Sequence, residues 1–178
     1  MALTNFSKKA EALCHKYDCT LIGINQMRAD MNSMYGGMTT TGGKAWKHNV
    51  AVRIEFRRGK FLDEKYVEQK QSIENPAGNK VEVAMTKNKT CPPKRKIGFY
   101  TLMYDTGIDY LYDLTEVCMK YGVIEKSGSW YVLKNTETGD EVAKLQGQYK
   151  VSDYLSDEAN VSVLKMYEDY LDKKMRED

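Results

Sequence analysis

The sequence predicts an α/β fold, with a mixed, mainly parallel sheet and flanking helices over residues 1–104, then a small α+β domain over residues 105–178. Three observations carry this. A helical stripe (Leu3, Phe6, Ala10, Leu13, Tyr17) runs into a short apolar stretch, Thr20 to Ile24, as expected of a strand buried on both faces of a parallel sheet. Alternating runs then mark further strands. Beyond Asp105-Thr106-Gly107 the periodicity switches to one helix, a short hairpin and two closing helices.

Taken in order, Val50, Val52, Ile54 and Phe56 alternate with Ala51, Arg53, Glu55 and Arg57, which predicts a strand with one buried and one polar face. Residues 59–80 are polar and end in the turn-forming run Asn75-Pro76-Ala77-Gly78-Asn79. Val81, Val83 and Met85 alternate again, so this strand pairs with or neighbours the previous one, and Ile97 to Met103 is another. Leu111, Leu114, Val117, Cys118 and Tyr121 form a helical stripe, with Gly122 placed as its left-handed cap. Two strands (123–126 and 129–133) turn at Ser127-Gly128, and helices follow over roughly 148–155 and 157–175.

The chain of 178 residues, 42% hydrophobic and 29% charged, has the composition of a soluble globular protein. No apolar run has the length of a membrane span, and the N-terminus lacks a signal-peptide layout, so a cytoplasmic location and no membrane partner are expected. A net charge of +2 decides nothing about nucleic acid; distribution must. Residues 153–178 hold eight acidic and four basic side chains, a net of −4, which reads either as a solvated helix face or as a screen over basic surface. Cys14, Cys19, Cys91 and Cys118 lack C-x-x-C spacing. With only His15 and His48 beside them, inert reduced thiols are a better reading than zinc, and no metal ligands are assigned.

The chemistry concentrates in Asn25 to Lys47, which has no apolar period, four glycines and three successive threonines. A loop this long inside a domain is usually functional or disordered. Gly42-Gly43 allows close backbone approach to an anion, and Thr39 to Thr41 add hydroxyls. Arg28, Lys44 and Lys47 add charge, while Met27, Met31, Met34, Tyr35 and Met38 offer groups that stack on or wedge between bases. Gly37, Gly42, Gly43 and Lys44 are not a phosphate-binding P-loop: glycine stands where the lysine is needed, and Ala45 supplies no hydroxyl for magnesium. Gln26 follows the apolar run, where α/β proteins place ligand groups, or else merely caps the strand. Residues 87–96 carry five positive charges and no acid. Two histidines without a matching nucleophile motif argue against a self-contained hydrolase.

Three ordered stretches resemble one family. Ile24-Asn25-Gln26-Met27-Arg28, then residues 39–47 (TTTGGKAWK), then residues 52–58 (VRIEFRR) are similar to the second DNA-binding loop of RecA-type recombinases, bacterial or phage-like, and its flanking strands. Lys87-Asn88-Lys89 with Pro92-Pro93, Gly107-Ile108-Asp109 and residues 124–131 (IEKSGSWY) follow in the family's order. By this resemblance the chain is read as the C-terminal half only: the end of a RecA-like ATPase core (1–104) and the family's small C-terminal domain (105–178).

The resemblance implies roles residue by residue. Gln26 senses the nucleotide's γ-phosphate. Lys87 and Lys89 act in trans as catalytic groups on a neighbouring subunit's ATP, with Pro93 near its base. Arg28, Met31, Thr41, Gly42, Gly43 and Lys44 contact DNA, Met31 by insertion between bases, and Lys47 and Arg53 lie at the subunit interface. Lys120, Lys126, Trp130 and Lys134 are either duplex-DNA contacts of the C-terminal domain or ordinary surface and core. Asp30 stands where the family usually has a basic residue, the loop is shorter before Thr39, and His48 replaces a common aromatic, departures that imply weaker DNA affinity or altered coupling.

The Walker A and Walker B motifs and the catalytic glutamate are not found in the sequence, so inactivity alone is expected. ATP and Mg²⁺ are expected only in the assembled, complete protein. The implied function is DNA recombination and repair, with binding of single-stranded DNA and ATP-dependent homo-oligomeric filaments that exchange strands, reached by joining the N-terminal half or full-length recombinase subunits. A non-enzymatic module that binds single-stranded DNA or modulates a recombinase filament is the alternative, and a nonfunctional remnant the third.

Overall fold

The computed structural model describes residues 2–29, 34, 37–41, 43–69, 74–90 and 97–177. The chain forms two compact units. One holds Met1–Arg53 and Thr86–Pro92, the other Ile54–Met85 and Pro93–Asp178. The expected boundary at Asp105 lies within the second unit.

In the first unit, α1 (Ala2–Lys16) carries His15 and Lys16 in its last turn, where positive charge complements the helix dipole. It packs on α2 (Gly43–Asn49) through Phe6 and Trp46, whose rings lie 6.2 Å apart, and Asn49 Nδ2 donates to the buried Ser7 hydroxyl at 2.9 Å. Strands β1 (Met27–Ala29) and β2 (Met38–Thr40) pair antiparallel with Arg28 opposite Thr39.

The run Thr20 to Ile24 is not a strand. It is coil, with Ile22 and Ile24 84% and 98% exposed. A strand buried on both faces needs neighbours along both edges, and no described strand lies beside this run.

The larger sheet runs in the order β4 (Glu68–Gln69), β3 (Val52–Leu62), β5 (Gly78–Asn88), β6 (Ile97–Met103), β7 (Gly107–Ile108). The pairs β3/β4, β5/β6 and β6/β7 are antiparallel, which corrects the expectation of a mainly parallel sheet. The burial of β3 is also opposite to expectation. Val52, Ile54 and Phe56 are exposed, while Arg53 and Glu55 on the other face are half-buried.

The second unit holds the main core. Asp109 caps α3 (Tyr110–Lys120), its carboxylate accepting from the Tyr112 amide at 3.0 Å, and Gly122 at φ 73° ends the helix as the sequence predicts. Strands β8 (Ile124–Ser127), β9 (Trp130–Lys134) and β10 (Glu141–Gln146) form a three-stranded antiparallel sheet ordered β10-β9-β8. Helices α4 (Gln148–Ser156) and α5 (Val161–Glu177) close over it. Cys118, Ile124, Leu133, Val151, Leu155 and Tyr167 are sealed from solvent, and the Tyr167 hydroxyl donates to the Lys134 carbonyl at 3.0 Å. The architecture is mixed α/β, as the sequence predicts at that level.

Candidate nucleic-acid interface

The β1/β2 hairpin is closed at its base by a reciprocal side-chain bracket. Asn25 Nδ2 donates to the Thr41 carbonyl at 2.8 Å, and the Thr41 hydroxyl donates back to Asn25 Oδ1 at 2.7 Å. Thr39, opposite Arg28, accepts from Lys47 Nζ at 2.8 Å. The Thr41 hydroxyl is therefore engaged as a donor within the chain, while Thr39 accepts there and keeps its own hydroxyl hydrogen to donate. Gly43 opens α2 at φ 70°, a left-handed conformation that glycine adopts without a Cβ penalty.

At the other end of α2, two lysines of one basic run converge. Lys87 Nζ donates to the carbonyls of Lys47 at 2.9 Å and His48 at 2.6 Å, and Lys89 Nζ reaches His48 at 3.3 Å. The last carbonyls of a helix lack intrahelical donors and carry its negative dipole end, so cations are stabilised there. The Lys89 amide donates to the Ala51 carbonyl at 3.0 Å, and the Thr86 hydroxyl to the Arg53 carbonyl at 3.3 Å. Desolvation lowers the Lys87 pKa, and the charges of Lys89 and Arg53 lower it further. Among the described residues no carboxylate pairs with Lys47, Arg53, Lys87 or Lys89.

Of the expected site residues, Lys47, Arg53, Lys87 and Lys89 are brought together. Arg28 is exposed on β1, joined to them through Thr39 and Lys47. Gln26 is exposed coil just before β1, so it does not cap a buried strand. Met31, Gly42 and Pro93 lie outside the described residues, as does the Lys44 side chain. Sequence reasoning missed the β1/β2 pairing and its Asn25–Thr41 bracket, and it missed the carbonyls of Lys47 and His48 as the lysines' acceptors. A C-terminal helix end two residues before an alternating strand was the available signal for the last.

Four cations with no carboxylate partner among the described residues, beside a short threonine-bearing hairpin in an α/β chain, form an arrangement suited to phosphate groups. Over residues 2–109 the chain matches the family model of the RecA N-terminal domain, and it belongs to the RecA family. It is 30% identical over 169 residues to "Protein RecA" of Wolbachia pipientis subsp. Culex pipiens (strain wPip), covering 94% of this chain and 45% of that protein. It is 35% identical over 161 residues to "Protein RecA" of Wolbachia sp. subsp. Drosophila simulans (strain wRi), with 90% and 41% covered. To "Protein RecA" of Cereibacter sphaeroides it is 38% identical over 125 residues, 70% of this chain and 34% of that protein. The chain thus spans less than half the length of these relatives.

The match corrects one expectation. Sequence motifs placed the chain in the C-terminal half of the family alone, whereas residues 2–109 match the family's N-terminal domain. Local motifs carried the family assignment, but their order alone does not mark where one domain of the family ends and another begins.

Proposed function

We propose that this chain serves DNA recombination and repair by binding single-stranded DNA within ATP-dependent RecA-type filaments. The observation that carries the reading is the set of four cations, Lys47, Arg53, Lys87 and Lys89, which no carboxylate pairs with among the described residues, adjoining the β1/β2 hairpin. Arg28, Gly42, Gly43 and Lys44 meet the strand's phosphates, and Met31 inserts between bases. Lys87 and Lys89 leave the α2 carbonyls to reach phosphates of a nucleotide held by a neighbouring subunit, with Pro93 beside its base and Gln26 reporting its state. Lys47 and Arg53 serve the same subunit interface.

ATP and Mg²⁺ are implied by the family. The lysines suit the phosphate charge. Among the described residues no group of three or more His, Cys, Asp or Glu is placed to hold a metal ion, so Mg²⁺ is assigned to no residue of this chain. The sequence contains no G-x-x-x-x-G-K-[ST] run, so no residue of this sequence is assigned to a phosphate-binding loop. Exposed Leu21, Ile22 and Ile24 offer an apolar run that a neighbouring filament subunit would cover. When bound, the nucleotide supplies the free energy of phosphoryl transfer, and the residues here orient and neutralise. Residues 105–178 are proposed to meet duplex DNA.

A second reading rests on the core of the second unit. Its fully sealed Leu133, Val151 and Tyr167 favour a self-standing, non-enzymatic module that binds single-stranded DNA or modulates a filament. Fluorescence anisotropy of labelled single-stranded DNA across a salt series separates the two. Binding that appears only with a P-loop-bearing RecA-type chain and ATP supports the filament. Salt-sensitive binding by the chain alone, lost on Gly43→Val and Lys44→Ala, supports the module. No binding in either arm overturns both.

A further inference from the structure

α1 ends in a turn whose two contacting positions are both cysteines. Asp18, at φ 46°, is a left-handed residue following the helix, and the Cys19 amide donates back to the Cys14 carbonyl at 3.0 Å. This six-residue closure is the Schellman type, in which the side chain beyond the left-handed residue folds over the last helical turn and meets the side chain five positions earlier. Here the two groups so placed are thiols, and the Cys14 pKa is raised by desolvation first and then by its neighbour Cys19. Both are free, with Cys19 exposed and Cys14 half-buried, whereas Cys118 is sealed in the core. Five-residue spacing does not by itself announce a pair. The left-handed Asp18 creates it.

We propose that Cys14 and Cys19 form a redox-active dithiol, a modification site that closes to an intramolecular disulfide by exchange with a small-molecule disulfide. The exposed Cys19 reacts first. Its thiolate attacks one sulfur of the reagent, the reagent's S–S bond breaks, and one reagent thiolate leaves and is protonated. Cys14 then loses its proton, and its sulfur displaces the second reagent thiolate from Cys19. Two protein thiols are oxidised to one disulfide, one reagent disulfide is reduced to two thiols, and the two protons pass to the leaving groups. The turn is already closed by its backbone hydrogen bond, so little loop entropy remains to be lost when the sulfurs join. The bond locks the exit of α1 and fixes where the segment bearing Asn25 and Gln26 begins. None of this depends on the DNA-binding reading.

The test equilibrates the full chain with mixtures of oxidised and reduced glutathione, traps remaining thiols by alkylation and digests with trypsin. Cleavage after Lys16 places Cys14 in the peptide Ala10–Lys16 and Cys19 in Tyr17–Arg28, so the disulfide joins two peptides that are otherwise separate. The expected result is that joined pair from monomeric protein. Its formation constant should be about tenfold or more above that of the same chain unfolded in urea, equivalent to about 30 mV for a two-electron couple. Asp18→Gly retains the advantage because glycine accepts the left-handed conformation, and Asp18→Val loses most of it. Equal constants in native and unfolded chain overturn the proposal without recourse to any variant. So does a native product dominated by intermolecular bonds or by bonds to Cys91 or Cys118.

Discussion

The ammonium of Lys87 donates to the His48 carbonyl at 2.6 Å, so a lysine near the end of β5 closes the C-terminal end of α2. Its positive form is disfavoured by desolvation, then by Lys89 and Arg53, and its folded pKa lies below the ordinary lysine value of 10.5. A bound polyanion supplies the missing opposite charge and raises that pKa, so binding in the alkaline range takes up a proton. Side-chain carbon NMR of labelled lysines, titrated with and without tripolyphosphate, is expected to show the Lys87 midpoint moving up. An unmoved midpoint removes Lys87 from the phosphate site.

Gly23 is held by packing rather than by backbone conformation. A Cβ built there lies 2.8 Å from Trp46 Cζ2, too close for an unshifted indole. Gly23→Ala therefore displaces Trp46 and weakens its contact with Phe6, a ring pair whose kind is worth about 1 kcal/mol. In a Trp130→Phe background, where Trp46 is the sole indole, its emission is expected to shift and α1 to melt earlier. An unchanged spectrum would show that Trp46 does not press on residue 23.

Asp109 serves two masters at the start of α3. One carboxylate oxygen accepts from the Tyr112 amide at 3.0 Å and the other from the Tyr66 hydroxyl at 2.5 Å, while the Tyr66 and Tyr112 rings stack at 4.4 Å. Asp109→Ala is expected to cost about 1 kcal/mol for the cap alone. Tyr66→Phe keeps the stack and costs less. Urea titration of both single variants and the double variant is expected to show that the two losses are not additive.

Asp113 is ionisable, half-buried and raised above its ordinary pKa of 3.8, by desolvation first, against hydrogen bonds from the Thr101 amide at 3.1 and 2.8 Å. The sign follows from the raised value. The ionised carboxylate is worse off folded than unfolded, so the penalty is absent below pH 3.8 and present in full above the folded pKa. Asp113→Asn keeps one acceptor for Thr101 and sheds the charge. Its stability relative to the parent is expected to rise with pH from the acid range to neutrality, as read by thermal melts across pH. A flat difference would place the cost elsewhere.

What the sequence made legible follows from how local each signal is. Gly122 and Gly128 sit at φ 73° and 60°, as expected where single turns demand glycine. The alternation of β3 correctly grouped Ile54 with Phe56, yet both are exposed, because alternation tells which residues share a face and not what covers it. The same holds for Leu21, Ile22 and Ile24: hydrophobicity marked a buried strand, and burial on both faces requires neighbouring strands that the described residues do not provide. The β1/β2 hairpin has three residues a side, too few to show a period. It depends on Asn25 and Thr41, sixteen positions apart, finding each other. The family motifs were legible for the same reason as the glycines, being short and contiguous. The convergence of Lys87 and Lys89 on α2 depends on the path of β5, which no short window contains.

If the proposed function holds, Asp30, which stands between Arg28 and Met31 in sequence, opposes the binding of a strand. Each phosphate neutralised by a protein cation releases counterions, so the slope of log affinity against log salt counts the contacts, at about −0.9 per phosphate on duplex and −0.7 on single strands. An acid among those cations repels the strand and offsets roughly one such contact. Asp30→Lys is therefore expected to tighten binding to single-stranded DNA most at low salt and to steepen the slope by about one contact, while Arg28→Gln flattens it by a similar amount. Anisotropy titrations of the three proteins on one oligonucleotide measure this. If Asp30→Lys raises affinity without changing the slope, the gain comes from loop conformation rather than phosphate contact. If neither variant moves affinity, the strand does not run along this hairpin.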